Sequence, residues 1–344
     1  MDGSMRVAMY YNNADVRVES QPIPKLGPGE MLVRVRASGI CGSDVMFWYR
    51  RHKVPLVLGH EIAGEIVQLG PGVEGWQVGE RVAASHHVPC NTCHYCRRGM
   101  QTTCDTIRST TFDPGGFSEY VRLPAINVDR GTYRLPESVS FEEGTFAEPV
   151  ACALHGNRRS QMQIGDTVLV LGSGIAGLLH IHCARALGAG LIVATDINDY
   201  RLSTAMNFGA DHALSADQLT PELLRELNNG LLADVVIICA SATSVFEQAL
   251  QCLERGGTLL VFAPTGPDVK LPLDFNEIFW RTQRTITTSY AGAPADHIRA
   301  LELIRAGSLR VSEMITHRLP LERSQEGFGL VERGDESIKV IIEP

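Results

Sequence analysis

At 344 residues, with 44% hydrophobic and 20% charged residues, the chain has the composition of an ordinary globular protein and is too long for one hydrophobic core, so two domains are expected. Its formal charge is −8, from 31 basic against 39 acidic residues, which argues against a protein that grips phosphate backbones and removes nucleic acid as an expected partner. No window approaches the roughly 18 apolar residues of a membrane span, and Met1-Asp2-Gly3-Ser4-Met5 lacks the basic and apolar blocks of a leader. The expected address is the cytoplasm, where nine cysteines stay reduced rather than forming a disulfide framework.

The first third reads as short strands with long connections. Arg6 to Tyr10, Val16 to Val18 and Met31 to Ala37 are alternating or β-branched runs, punctuated by Pro22, Pro24 and Gly27-Pro28-Gly29. Glu61 to Leu69 and a run beginning at Gly79 continue the pattern. Between them lie Cys41-Gly42-Ser43-Asp44 and Gly59-His60-Glu61, where a cysteine, a histidine and a carboxylate suit a zinc ion if the fold brings them together. Asp44, following Ser43, also has the chemistry of a helix N-cap.

Cys90, Cys93, Cys96 and Cys104 follow with two, two and seven residues between them. Four thiolates within 15 residues complete the tetrahedral shell of a closed structural zinc site; an iron–sulfur cluster uses similar ligands. Such a shell has no open position for a substrate, so this lobe, about residues 86–110, is expected to hold structure. His86, His87 and His94 around it are expected at the surface. Cys152, Cys183, Cys239 and Cys252 lie in apolar or helical contexts and read as buried structural thiols.

From about Ala151 strands and helices alternate. The apolar run Thr167 to Leu171 leads into Gly172-Ser173-Gly174-Ile175-Ala176-Gly177, a helical stretch to Leu187, and a second strand, Leu191 to Thr195, ending on Asp196. This order is the dinucleotide-binding fingerprint: glycines let the backbone approach a pyrophosphate, the helix N-terminus offers free N–H groups, and the acidic residue accepts from the adenosine ribose. A carboxylate there repels a 2′-phosphate and favours NAD. Arg201, five residues on, is expected near the adenine or at a phosphate. Helices at Asp199 to Phe208, Thr220 to Leu227, Val245 to Leu253 and Asn276 to Thr282, with strands at Asp234 to Ala240, Thr258 to Phe262 and Thr285 to Tyr290, complete a doubly wound parallel sheet over 152–290. The remainder, with helices at Pro294 to Ala306 and Gln325 to Glu332 and a strand at Ile338 to Glu343, ends in β structure like the N-terminal part.

Over its full length the chain resembles the zinc-containing medium-chain dehydrogenases, and among them the polyol (sorbitol-type) and threonine dehydrogenase branch. The resemblance rests on Cys41 to Asp44, Gly59-His60-Glu61, the four-cysteine lobe, Glu148-Pro149, the glycine turn and Thr316-His317-Arg318. It implies an α/β protein: a GroES-like β-rich catalytic domain, residues 1–151 and 291–344, with a Rossmann domain, 152–290, inserted. It also implies two zinc ions per subunit, NAD, a small-molecule substrate, and a homo-oligomer, tetramer or dimer. Cys41 and His60 match the family's common catalytic zinc ligands and Glu61 a glutamate that ligates zinc in the polyol branch. Glu148 matches a fourth group that ligates the metal or holds its water, and Asp44 matches a carboxylate that orients the histidine.

The reaction so implied is hydride transfer from a secondary alcohol to C4 of the nicotinamide, the metal lowering the pKa of the hydroxyl. Ser43 matches the hydroxyl that first accepts the proton, but Met46 stands where the family's relay usually has a histidine; Glu148 or His52 are the candidate substitutes. Phe47, Trp48 and Tyr290 are expected to wall the substrate pocket, while Arg50, Arg51, His52 and Lys53 read as a solvated basic run at the cleft mouth. Ser289 replaces the arginine of sorbitol enzymes. His155 and His317 sit at family-typical positions and are expected near cofactor or substrate. Polyols, sugars or cyclitols are the expected substrates, threonine-type hydroxy-amino acids or simple alcohols the alternative. A non-enzymatic zinc-ribbon module with a nucleotide sensor is disfavoured, because the lobe has only Arg97-Arg98 as a basic face.

Overall fold

The computed structural model describes residues 3–271 and 273–344; Met1 and Asp2 of the N-terminal segment read above lie outside the described residues. The chain divides into two compact units, one running to Ala151 and resuming from Ala291 to Pro344, the other Cys152–Tyr290.

The first unit is built from antiparallel ladders. Strands β1 (Ser4–Asn12), β2 (Asp15–Pro22), β3 (Met31–Gly39), β4 (Leu56–Val57), β5 (Glu61–Leu69), β6 (Arg81–Ser85), β7 (Tyr120–Leu123) and β8 (Thr132–Arg134) precede the second unit in sequence. A three-stranded sheet has the order β2-β1-β4. In the larger sheet β3 pairs with β5 and β7, β5 with β6, and β6 with β8. Alternation places Met31, Val33, Val35, Ile62, Ile66, Val82 and Val121 in one core.

The second unit contains β9 (Thr167–Leu171), β10 (Leu191–Asp196), β11 (His212–Ser215), β12 (Ala233–Ile238), β13 (Leu253–Val261) and β14 (Thr285–Thr288). All pair in parallel, in the order β11-β10-β9-β12-β13-β14. Every residue of β9 is buried, as central parallel strands covered on both faces require. The helix Asp199–Asn207 starts on Asn198, whose side chain accepts from the Arg201 N–H at 3.2 Å, and Pro221–Leu227 starts on Thr220, which accepts from Leu223 N–H at 3.2 Å.

One local expectation is corrected: the helix expected over Val245 to Leu253 is Ser244–Gln251, and Leu253 with Gly256-Gly257 lies in β13. There the register slips between Ala233 and Val235, and Gly256 has φ +79°, so the glycine pair marks a bulge. Strand β11, too short and polar to read from its residues, adds the outer edge next to β10.

Back in the first unit, the chain forms the helix Pro294–Arg305 and then β15 (Ile315–Pro320) and β16 (Lys339–Glu343), parallel to each other, with β16 antiparallel to β3. Among the described residues no helix is long and apolar enough to cross a membrane.

Candidate active site

Sheet register assembles the site. In the β3–β5 ladder Gly39 lies opposite Glu61, in the β5–β6 ladder Glu61 lies opposite Ser85, and on the other flank of β3 Gly39 lies opposite Ile341 of β16. One end of the sheet therefore gathers Cys41, two residues past β3, His60 and Glu61 at the start of β5, His86 just past β6, and Lys339 at the start of β16. One ligand atom each from Cys41, His60 and Glu61 lie within 4.8 Å of one another.

Each of these side chains is held. Cys41 caps a 3₁₀ turn, Gly42–Val45; its Sγ accepts the Ser43 N–H at 3.5 Å, and Asp44 Oδ2 accepts the Cys41 N–H at 3.0 Å. The cap is thus Cys41 itself, and Asp44 completes the box from the N3 position. Asp44 is fully buried, and its Oδ1 lies 3.4 Å from His60 Nδ1 and 3.5 Å from Arg50 Nη2. Burial opposes charge on His60, but Asp44 and Cys41 outweigh it and hold the imidazole pKa well above its usual value. The carboxylate and the sulfur that draw a proton there would equally draw a cation. Glu61 pairs with Lys339, both 1% exposed, and Lys339 also donates to Ile40 O at 3.3 Å. The pair packs directly on Gly39: a β-carbon there would run into Glu61 Oε2 and the end of the Lys339 side chain.

The donor set fits zinc. One thiolate, one imidazole and one carboxylate are the mixed ligands the ion takes, and three of them leave a fourth position for substrate. Glu148, 9% exposed in the first turn of the helix Ala147–Arg159, is not among the atoms in this trio.

The second cluster is the four cysteines, whose Sγ atoms also lie within 4.8 Å of one another. A tetrahedron with metal–sulfur bonds of about 2.3 Å has edges of about 3.8 Å. The Cys90–Cys104 and Cys90–Cys96 separations are 3.6 and 4.0 Å, so the cage already has the dimensions of the ion. The Thr92 hydroxyl, at 3.6 Å, and the N–H groups of Thr92 and Cys93, at 3.4 and 3.3 Å, donate to Cys90 Sγ and bring its pKa down to about 5, the thiolate form that binds metal.

In the second unit Asp196 ends β10. Its Oδ2 accepts the Ser173 N–H at 2.7 Å, and its Oδ1 accepts from Ile197 and Asn198 at 2.9 and 3.0 Å. Arg201 Nη1 stands 3.8 Å from the same carboxylate. The glycine turn is thereby tied to the acidic residue, and Gly177 packs so closely on Gly172 that a β-carbon would overlap its carbonyl. The residues fit a dinucleotide whose ribose approaches a fixed negative charge.

Three neighbours escape a reading by motif. Lys339 and His86 arrive through strand pairing alone. His86 and His87 are half-buried rather than at the surface: the His86 ring lies 4.8 Å from that of His60 and 3.6 Å from that of His87, and burial with these neighbouring histidines depresses its pKa well below normal, while that of His87 falls to about 4. Arg50 also departs from the solvated run assigned to it. Its side chain is 14% exposed and turns inward, whereas Arg51, His52 and Lys53 are exposed as expected. His317 contacts its neighbour Thr316 through Nδ1 at 3.0 Å.

Comparison with known proteins agrees with this construction. A family model described as alcohol dehydrogenase GroES-like domain matches residues 27–136, and one described as zinc-binding dehydrogenase matches residues 176–306. Sorbitol dehydrogenase of Gallus gallus is 32% identical over 99% of this chain and 96% of its own length. The chain belongs to the zinc-containing medium-chain dehydrogenases, in their polyol dehydrogenase branch.

Sorbitol dehydrogenase of Bacillus subtilis (strain 168) is 29% identical over 99% of this chain and 98% of its own. Among solved structures, alcohol dehydrogenase from Thermus sp. ATN1 superposes with a TM-score of 0.86 at 30% identity over 98% and 99% of the two chains. The 2R,3R-butanediol dehydrogenase of Bacillus subtilis gives 0.86 at 26% identity, covering 99% of each. This medium-chain dehydrogenase is accordingly a zinc- and NAD-dependent oxidoreductase of alcohols or polyols.

Proposed function

We propose that the enzyme oxidises a secondary hydroxyl of a polyol, sugar or cyclitol to the ketone, with Cys41, His60 and Glu61 as ligands of the catalytic zinc and Cys90, Cys93, Cys96 and Cys104 as ligands of the structural one. The observation that carries this reading is the convergence of Cys41, His60 and Glu61 at one end of the sheet. When bound, zinc supplies a Lewis acid that acidifies the substrate hydroxyl, and NAD supplies the hydride acceptor.

The chain's own residues do the rest. Asp44 engages His60 Nδ1 and so fixes its tautomer, leaving Nε2 for the metal. The Ser43 hydroxyl takes the proton from the substrate oxygen. Met46, in the same turn, offers no group to pass that proton on, and His52 is exposed beside Arg51, whose Nε lies 3.3 Å from its Nε2. Glu148 is kept as the fourth group at the metal on the family resemblance. Gly172, Gly174, Ile175, Ala176 and Gly177 form the pyrophosphate turn, while Asp196 receives the adenosine ribose and Arg201 lies near the adenine. Phe47 and Trp48, 41% and 40% exposed, wall the substrate, and Tyr290 is kept as a pocket residue on the family resemblance.

A polyol is favoured over a simple alcohol by the sorbitol dehydrogenases among the relatives and by the butanediol enzyme among the structures. We also assign a homotetramer or dimer in the cytoplasm. The exposed edge strand β14, with Phe275 and Trp280 69% and 66% exposed near it in sequence, supports association. The deciding assay follows NADH absorbance over polyols, inositols, aldonates, threonine and short alcohols, with and without chelator. Chelator-sensitive turnover of polyols is expected; turnover confined to threonine or to simple alcohols would overturn the substrate assignment.

A further inference from the structure

From its contacts we infer that Arg50 is a positioning residue of the reaction, one that holds the proton-accepting hydroxyl in place. The inference rests on the reading of Ser43 as partner of the substrate oxygen. Arg50 Nη2 lies 3.3 Å from Ser43 Oγ and its Nε donates to Ser43 O at 3.2 Å, so one guanidinium grips both the side chain and the backbone of the serine. The same Nη2 is 3.5 Å from Oδ1 of buried Asp44, the oxygen that faces His60. The guanidinium carbon sits 4.8 Å from the centroid of Tyr49, which closes its remaining face.

A hydroxyl has one proton and two lone pairs. The arginine occupies one lone pair, leaving Ser43 with its proton and one lone pair for the substrate, in a fixed orientation. Arginine itself cannot take the proton, because its guanidinium stays charged throughout the working pH range. Arg50 therefore does not replace the histidine that Met46 displaces; it immobilises the first acceptor. Lysine would substitute only in part, since a single ammonium cannot present two donors in the planar fork that reaches Ser43 Oγ and O together.

The test is a mutant cycle on zinc-replete enzyme with the best polyol of the panel. Ser43→Ala and Arg50→Met should each lower kcat about tenfold or more, with KM for NAD within about twofold and two zinc ions per subunit retained; Arg50→Lys should fall between wild type and Arg50→Met. The double variant should be no more than about twofold slower than Ser43→Ala alone, since the arginine acts through the serine. Wild-type kcat in Arg50→Met, or a double variant slowed by the product of the two single effects, would overturn the inference while leaving the reaction assignment intact. Wild-type kcat in Ser43→Ala would remove the reading of Ser43 and the inference with it.

Discussion

Replacing Lys339 by methionine removes the partner of a carboxylate that is 1% exposed while nearly preserving volume. Breaking a buried ion pair from one side costs about 3–5 kcal/mol, because the remaining charge keeps its desolvation penalty and loses its compensation. The Ile40 carbonyl, which accepts from Lys339 at 3.3 Å, loses a donor as well, adding about 1 kcal/mol. In a unit of about 200 residues each kcal/mol moves the melting temperature by about 2–4 °C, so the first transition in a calorimetric scan of enzyme stripped of its catalytic zinc, where no ion offsets the Glu61 charge, should drop by about 10 °C or more. Glu61→Gln combined with Lys339→Met leaves two neutral groups of similar size, and the melting temperature should recover most of the loss although activity does not. A single variant melting within about 2 °C of wild type, or a double variant melting below the single one, would refute the claim that the pair is a buried charge compensation.

Cys93→Ser should reduce zinc from two to one per subunit and lower the melting temperature, read by native mass spectrometry and calorimetry. Cys41→Ser should also bind one zinc but lose turnover with its far-UV circular dichroism unchanged; full activity in this variant would disprove the ligand assignment. Asp196→Ala removes both the repulsion of a 2′-phosphate and the acceptor of the Ser173 N–H, so kcat/KM for NAD should fall at least about tenfold more than that for NADP. Burial holds the His180 imidazole, bonded through Nδ1 to Asn157 at 3.0 Å, at about 3 against an unfolded value near 6.5. Its folded pKa being depressed, the stability it confers is complete above pH 6.5 and declines as pH falls toward 3, by about 1 kcal/mol between pH 7 and 5.5. Urea unfolding of His180→Gln should lack that share of the acid loss; an identical decline in both proteins would contradict it.

What could be read from the residues and what could not divide along a physical line. Cys41, His60, the four lobe cysteines and the glycine turn carry their chemistry in local spacing, because a metal cage of x2 links and a strand–turn–helix phosphate site are short-range objects. Lys339 stands 278 residues from Glu61 and meets it only because β16 docks on β3 beside β5. His86 reaches His60 because Ser85 pairs with Glu61, a register no composition of either strand announces. Arg50 was assigned to a solvated run by its neighbours Arg51, His52 and Lys53, yet the one-turn helix Phe47–Arg50 swings it back onto Ser43 and Asp44. All three are charged or polar side chains brought in from other elements, and each approaches Cys41, His60 or Glu61 from a different strand or turn. The proposed ligands alone define where a zinc ion would sit; these long-range partners set the charge and orientation in which Cys41, His60, Glu61 and the Ser43 hydroxyl are held.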